Sequence, residues 1–200
     1  MGRIFYPPKP TLISIDQPLF EKLDRDPNVI AELKYNGTRL VFQCFPLTSF
    51  SPIEFWNREG SQLKYAPSKG LLSNLRSLNW KGYCVLDGEL LHTKVKSTKH
   101  HIVFFDVIVW NGEEVTQKRF SERRKILEAA FQVDKLFDNL YPAPQWKTGF
   151  RLLYNEMIKI DYIEGLVMKR LDAKMVLGKS SSPVVATMWK VRKPTRNYRF

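Results

Sequence analysis

Residues 28–45 hold the feature that does most to limit the fold. Two strand-like runs, at about 28–34 and 38–45, meet at Asn36-Gly37 in "ELKYNGTRL". Asn-Gly tolerates the positive φ of a type I′ turn, so the spacing predicts a β-hairpin. Lys34 and Arg39 bracket the turn, and a purely structural hairpin requires neither. Further strand-like runs cover 53–63 (a pair around Glu59-Gly60), 83–92, 101–110 ending at Asn111-Gly112, 164–170, 174–177 and 186–193. Helical spacing is confined to 17–27, 67–78, 121–137 and 149–160, with Ser121 as the expected N-cap of the third. Strands and helices do not alternate as βαβ units would. The pattern therefore predicts an α+β fold of mainly antiparallel sheets flanked by helices. The Pro-rich residues 1–16 read as an extended arm.

Charge narrows the partners. Thirty-two Lys and Arg against 20 Asp and Glu leave a net +12, which points to a polyanion. The positive residues are densest at Lys94–Lys99 and Lys190–Arg199, and Trp and Phe are interleaved with them along the chain. Aromatic and basic residues together suit a groove for nucleotides or single strands. No apolar run reaches about 18 residues, and "MGRIFYPPKPTLISID" has no apolar segment of signal-peptide length. An intracellular protein with no membrane partner is expected. Cys44 and Cys84 lack metal-site spacing and lie among apolar strand residues, so they read as buried free thiols. His92, His100 and His101 form no ligand spacing and read as surface or backbone-bonded histidines.

Several short motifs carry chemistry-bearing residues. "VLDGELL" places Asp87 and Glu89 on one side of a strand, "EGLVMK" puts Glu164 at a strand mouth, and "MWKVRK" puts Lys190 and Arg192 on one strand face. Each alone is compatible with an ordinary scaffold. Arg39 and Glu89 would then be a cross-strand ion pair, Phe105 in "IVFFDVIVW" a core residue, and Asp87 and Asp106 fixtures of turns or strand ends. Their order is more specific. Lys-x-x-Gly-x-Arg, Asn-Arg-x-Gly, Asp-Gly-Glu, Phe-Asp, Glu-Gly-x-x-x-Lys and Lys-x-Arg-Lys follow one another. From about residue 28 to 193 the chain resembles the covalent nucleotidyltransferase superfamily of ATP-dependent DNA ligases, RNA ligases and mRNA capping enzymes. "FFDVIVWNGEEV" followed by "FSERRKIL" looks most like the adenylation domain of ATP-dependent DNA ligases.

The resemblance implies a nucleotidyltransferase (ATP-grasp-like) domain over 1–200, using ATP with Mg²⁺ or Mn²⁺. It implies that Lys34 attacks the α-phosphate of ATP and becomes lysyl-AMP. AMP then passes to a 5′-phosphate, and a 3′-hydroxyl displaces it to seal a nick. On the same basis Glu32 reads the adenine amino group, Glu89 the ribose hydroxyls, and Phe105 stacks on the base. Arg39 holds ribose or the 5′-phosphate, and Arg58 the terminal phosphate of the nucleic acid. Glu164 binds or orients the metal, and Lys190 and Arg192 hold the α-phosphate, with Lys169 in a lesser role. Asn36 and Arg192 stand where many relatives carry Asp and Lys. The chain stops just past the last motif, where relatives usually continue into an OB-fold domain. The implied reading is a monomeric ligase of nicked DNA serving repair or replication. An accessory protein replaces the OB domain, the domain stands alone, as a virus-encoded enzyme could, or residues were removed. RNA-containing duplexes are possible substrates. An RNA ligase, a capping-type guanylyltransferase and a non-catalytic nucleic-acid-end binder remain alternatives.

Overall fold

Two sheets share the strands of this chain. A computed structural model describes residues 3–45, 52–131 and 137–194. In chain order the first elements are β1 (Lys9–Leu12), α1 (Pro18–Arg25), β2 (Val29–Tyr35), β3 (Thr38–Cys44), β4 (Ile53–Trp56), α2 (Lys69–Arg76) and β5 (Cys84–Leu91). There follow β6 (His101–Trp110), β7 (Glu113–Glu114), α3 (Phe120–Ala130), β8 (Leu140–Pro142) and β9 (Gln145–Trp146). The last are α4 (Phe150–Met157), β10 (Ile163–Arg170) and β11 (Val184–Arg192). The first sheet runs β1-β11-β10-β2-β9 and the second β4-β3-β5-β6-β7, with β8 beside β6. Only the β1/β11 and β6/β8 pairs among these are parallel. This is the expected α+β class, and among the described residues no OB-fold unit accompanies it.

The expected hairpin is not there. β2 and β3 flank Asn36-Gly37 but lie in different sheets. Asn36 donates its N–H to Tyr162 O at 2.9 Å, and Gly37 donates to Glu89 Oε1 at 3.1 Å. Neither residue has positive φ. The glycine is required by close approach instead: a Cβ there would lie 2.6 Å from both Glu89 Cγ and the Leu90 carbonyl oxygen. The true Asn-Gly turn is at Asn111 (φ 50°) and Gly112 (φ 90°), joining β6 to β7. Gly37→Ala is expected to destabilise the fold by about 1–3 kcal/mol, because the clash with Leu90 O involves backbone and cannot be rotated away. A shift of the denaturant midpoint at constant m-value measures this.

Other expectations shift for identifiable reasons. α3 begins at Phe120, not at a Ser121 cap. Its first N–H groups are already taken, Phe120 by Ala173 O (2.8 Å) and Ser121 by Leu171 O (2.9 Å). Glu122 accepts from the Arg119 N–H at 2.7 Å. The helix ends at Ala130, and residues 132–136 of the longer expected span lie outside the described residues, as do 195–200 of the basic tail. α4 ends at Met157, short of 160. Residues 174–177 form no strand, since Met175 packs among Phe5, Val85 and Ile108 rather than pairing along an edge. The run 53–63 pairs only weakly on its return, through Leu63 N–H to Phe55 O and a bridge between Trp56 and Gln62. The N-terminal arm is extended but stitched into the first sheet as β1.

Helices α1 and α4 cover the first sheet, and α2 and α3 the second. Leu91 and Val103 of the second sheet share a buried cluster with Leu33, Leu166 and Val191 of the first. That packing holds the two sheets together, and the β2–β3 crossover runs beside it. β6 is buried along most of its length, which explains its long apolar run. Cys44 and Cys84 are buried free thiols, directly opposite each other on β3 and β5.

Candidate active site

The crossover from β2 to β3 places Lys34 in one sheet and Arg39 in the other, across a cavity of about 440 Å³. A cavity of that size suits a nucleotide-sized ligand. Cross-strand register builds its first wall. Lys34, Gly165 and Arg192 form one row across β2, β10 and β11, and Glu32, Val167 and Lys190 form the next. Cross-strand partners share a face, so two charged residues of β2 and two of β11 converge. The middle strand contributes only Gly165 and Val167 to these rows. Gly165 has φ 151°, and a Cβ there would lie 2.0 Å from Val191 O.

Bulges aim two further residues. The β10–β2 register slips between Ile163 and Gly165, which leaves Glu164 unpaired and turns its carboxylate to the Lys34 side. Glu164 Oε2 lies 2.5 Å from Lys34 Nζ and 3.4 Å from Arg192 Nη2. The β5–β6 register slips between Asp87 and Gly88, which leaves Phe105 unpaired. Phe104 is buried, whereas Phe105 is half-buried and lines the cavity. Bulges re-aim side chains in this way beside functional sites.

The second sheet supplies Arg39 and Glu89. They are register partners but not an ion pair. Arg39 is clamped by both oxygens of Asp87, with Nε to Oδ1 at 2.5 Å. Asp87 is therefore the fixture of Arg39, whose guanidinium lies 4.9 Å from the Phe105 ring centroid. Glu89 holds the crossover through Gly37 and lines the cavity. Burial pushes its carboxyl above the ordinary range, against the pull of Lys34, Arg39 and Lys94.

Glu32 is also on the wall, but both its oxygens are engaged. Lys169 Nζ is 2.7 Å from Oε2, and Gln145 Nε2 donates to Oε1 at 2.8 Å. Lys169 in turn lies 5.1 Å from the Phe105 ring centroid and donates to Phe105 O at 3.2 Å. Arg58 is exposed at the rim, beside Glu59 at 2.6 Å. Every residue to which the resemblance assigns a contact or a chemical step thus borders one cavity, whereas Asp87 and Asp106 do not line it. Lys9, from the arm, also lines it. No motif contains Lys9, and only the β1–β11 pairing brings it there.

The cations outnumber their partners. Lys190 is held below the ordinary lysine value, first by burial and then by Arg192, Lys34, Arg58 and Lys9. A lysine so depressed disfavours the fold while protonated. The penalty is full below its folded pKa and fades as pH rises through that value toward 10.5. Lys190→Met is expected to raise the unfolding temperature of the ligand-free protein at pH 7 by about 1–3 °C, after discounting for water on the exposed half of the side chain. The gain shrinks as pH approaches the unfolded-state value. Calorimetric scans at neutral and alkaline pH test the sign. Among the described residues no three His, Cys, Asp or Glu side chains converge as a metal cluster.

Comparison with known proteins follows this geometry. Residues 91–191 match the model of the ATP dependent DNA ligase domain. The SPbeta prophage-derived DNA ligase-like protein LigB of Bacillus subtilis (strain 168) is 27% identical over 173 residues, covering 78% of this chain and 59% of that protein. The structure of mycobacterial DNA ligase D complexed with ATP and MES superposes with a TM-score of 0.69 at 18% identity, over 94% of this chain and 60% of that one. A Lig E DNA ligase superposes with a TM-score of 0.55 at 14% identity, over 92% and 69%. The chain spans about three-fifths of the length of LigB and of the ligase D chain.

Proposed function

The chain belongs to the ATP-dependent DNA ligase domain family, and from that premise we propose that it is the catalytic domain of a polynucleotide ligase that seals nicked duplexes through lysyl-AMP. The observation that carries this reading is the Lys34–Glu164 pair at 2.5 Å, set among Lys190, Arg192, Glu89 and Phe105 on one cavity. The ligase family and an ATP-bound structural neighbour imply ATP as the nucleotide.

Lys34 Nζ attacks the α-phosphorus. The N–P bond forms as the bond to the bridging oxygen of pyrophosphate breaks. Lysine must lose a proton to do this, and Glu164 Oε2 is placed to receive it. Lys190 and Arg192, two residues apart on one strand face, hold the α-phosphate and offset charge developing on its oxygens. Glu89 binds the ribose hydroxyls and Phe105 stacks on the base. Arg39, locked by Asp87, presents a pre-oriented cation to ribose or the incoming 5′-phosphate, and Arg58 meets the nucleic-acid end at the rim.

A divalent cation fits this donor set through one carboxylate, Glu164, completed by substrate phosphates and water, which is the habit of Mg²⁺. Bound there, it would neutralise phosphate charge and loosen the hold of Glu164 on Lys34. The net charge of +12 supports a nucleic-acid partner, with binding that weakens steeply with salt.

The test is incubation with Mg²⁺ and α-labelled ATP or GTP, followed by sealing assays on nicked DNA, nicked RNA and hybrid duplexes. Label from ATP on the protein, and joined product on nicked DNA, are expected. Label from GTP alone would make it a capping-type enzyme, and joining confined to RNA an RNA ligase. No label from either nucleotide would sink the catalytic reading.

A further inference from the structure

The arm does more than complete a sheet. Its backbone is anchored at both ends of β1: Lys9 N–H donates to Pro183 O at 2.7 Å, and Ile13 N–H to Lys190 O at 3.0 Å. Thr11 Oγ1 donates to Val185 O at 2.9 Å, and Arg39 Nη2 to Pro8 O at 3.3 Å. Tyr6 packs on the turn that carries Arg58, where a Cβ on Gly60 would lie 2.7 Å from the Tyr6 hydroxyl. Ser182 Oγ donates to Arg58 O at 3.4 Å from the approach to β11. The register between β1 and β11 jumps from Pro10↔Val185 to Thr11↔Trp189. Lys9 is thereby brought to the cavity that Arg58 and Lys190 also line.

These three cations come from three separate elements, and acids do not balance them. Among the described residues no carboxylate pairs with Lys9 or Lys190, and the partner of Arg58 is the exposed Glu59 beside it. Lys9 and Lys190 are half-buried. The mutual repulsion is felt by Lys190, whose charged form is opposed by burial and then by Arg192, Lys34, Arg58 and Lys9. Like charges gathered at a partly buried site are costly until an anion arrives, and three donors around one space fit a phosphate's oxygens.

We propose that Lys9, Arg58 and Lys190 form a phosphate subsite completed by the N-terminal arm, adjoining the α-phosphate position that Lys190 shares with Arg192. The assignment of its ligand rests on the ligase reading. The phosphate is either the diphosphate leaving group of ATP or the 5′-phosphate of the nicked strand. Lys9 acts there as a binding residue and takes no part in proton transfer.

Lys9→Ala and Lys9→Arg test it, with inorganic pyrophosphate and nicked duplexes bearing 5′-phosphate or 5′-hydroxyl as probes, all at one salt concentration. Lys9→Ala is expected to weaken one probe about tenfold, the effect of losing one charge-assisted phosphate contact. Lys9→Arg should retain most of the affinity, and both variants should keep the wild-type unfolding temperature. Loss confined to pyrophosphate assigns the leaving group. Loss confined to the affinity added by the 5′-phosphate assigns the nicked end. Unchanged affinity of Lys9→Ala for every probe overturns the subsite, as does a wild-type protein that binds neither pyrophosphate nor the 5′-phosphate preferentially. If the wild type takes no label from ATP, the ligase reading falls, while Lys9-dependent binding of pyrophosphate still upholds the subsite.

Discussion

Lys34→Ala is expected to take up no label from α-labelled ATP, a fall of at least about 10³-fold that places it beyond detection. The side chain is a cavity-lining amine held by Glu164 at 2.5 Å, and alanine leaves nothing to attack phosphorus. Lys34→Arg should fail as completely, because a guanidinium keeps its proton and its charge. The loss must be separated from unfolding. Glu164 retains Arg192 at 3.4 Å when Lys34 is removed, so no carboxylate is stranded and the unfolding temperature should stay within a few degrees of wild type, about 1 kcal/mol or less. A second assay narrows the assignment. A nicked duplex already carrying AMP on its 5′-phosphate bypasses lysyl-AMP, so Lys34→Ala should still seal it slowly. Labelling of Lys34→Ala at more than a few per cent of the wild-type rate would remove Lys34 from the mechanism.

Much of this site was readable before the fold was known, and particular residues show where reading stops. The period-two spacing of Lys190 and Arg192 sufficed to place both on one face, because strand geometry is local. The same rule applied to "IVFFDVIVW" cannot separate Phe104 from Phe105. The bulge that expels Phe105 toward the cavity depends on how β5 pairs with β6. Asn36-Gly37 carried a strong local hairpin signal and still did not form one. Its donors are satisfied by Tyr162 O and Glu89, from segments about 126 and 52 residues away, and tertiary pairing outweighed turn propensity. Arg39 was visible as a cation, but its partner was not: register puts it opposite Glu89 while its side chain reaches Asp87. Lys9 left no local trace at all. Its place depends on a parallel pairing between the two ends of the chain, the kind of contact that sequence spacing does not encode.

Glu32 joins stability to recognition, and Glu32→Ala is expected to cost about 3–5 kcal/mol, a fall in unfolding temperature of roughly 10 °C. Glu32 is 2% exposed, and its carboxylate accepts from Lys169 at 2.7 Å and Gln145 at 2.8 Å, with Arg124 Nη1 3.8 Å away. Lys169 is 3% exposed and lies over the rings of Phe105 and Phe120. Without Glu32 its ammonium keeps the Phe105 carbonyl, two aromatic faces and the more distant charge of Asp87, which is already clamped to Arg39, an inadequate replacement for a buried counter-ion. Most of the loss should therefore vanish in Glu32→Ala/Lys169→Met, since removing both charges leaves none uncompensated. The double variant also isolates recognition. A carboxylate has lone pairs beyond the two already used, so Glu32 can still accept from an adenine amino group. If it does, the refolded double variant should bind ATP and GTP with nearly equal affinity. Retained preference for ATP in that variant would leave Glu32 a structural role alone, and a Glu32→Ala protein within 1 kcal/mol of wild type would remove even that.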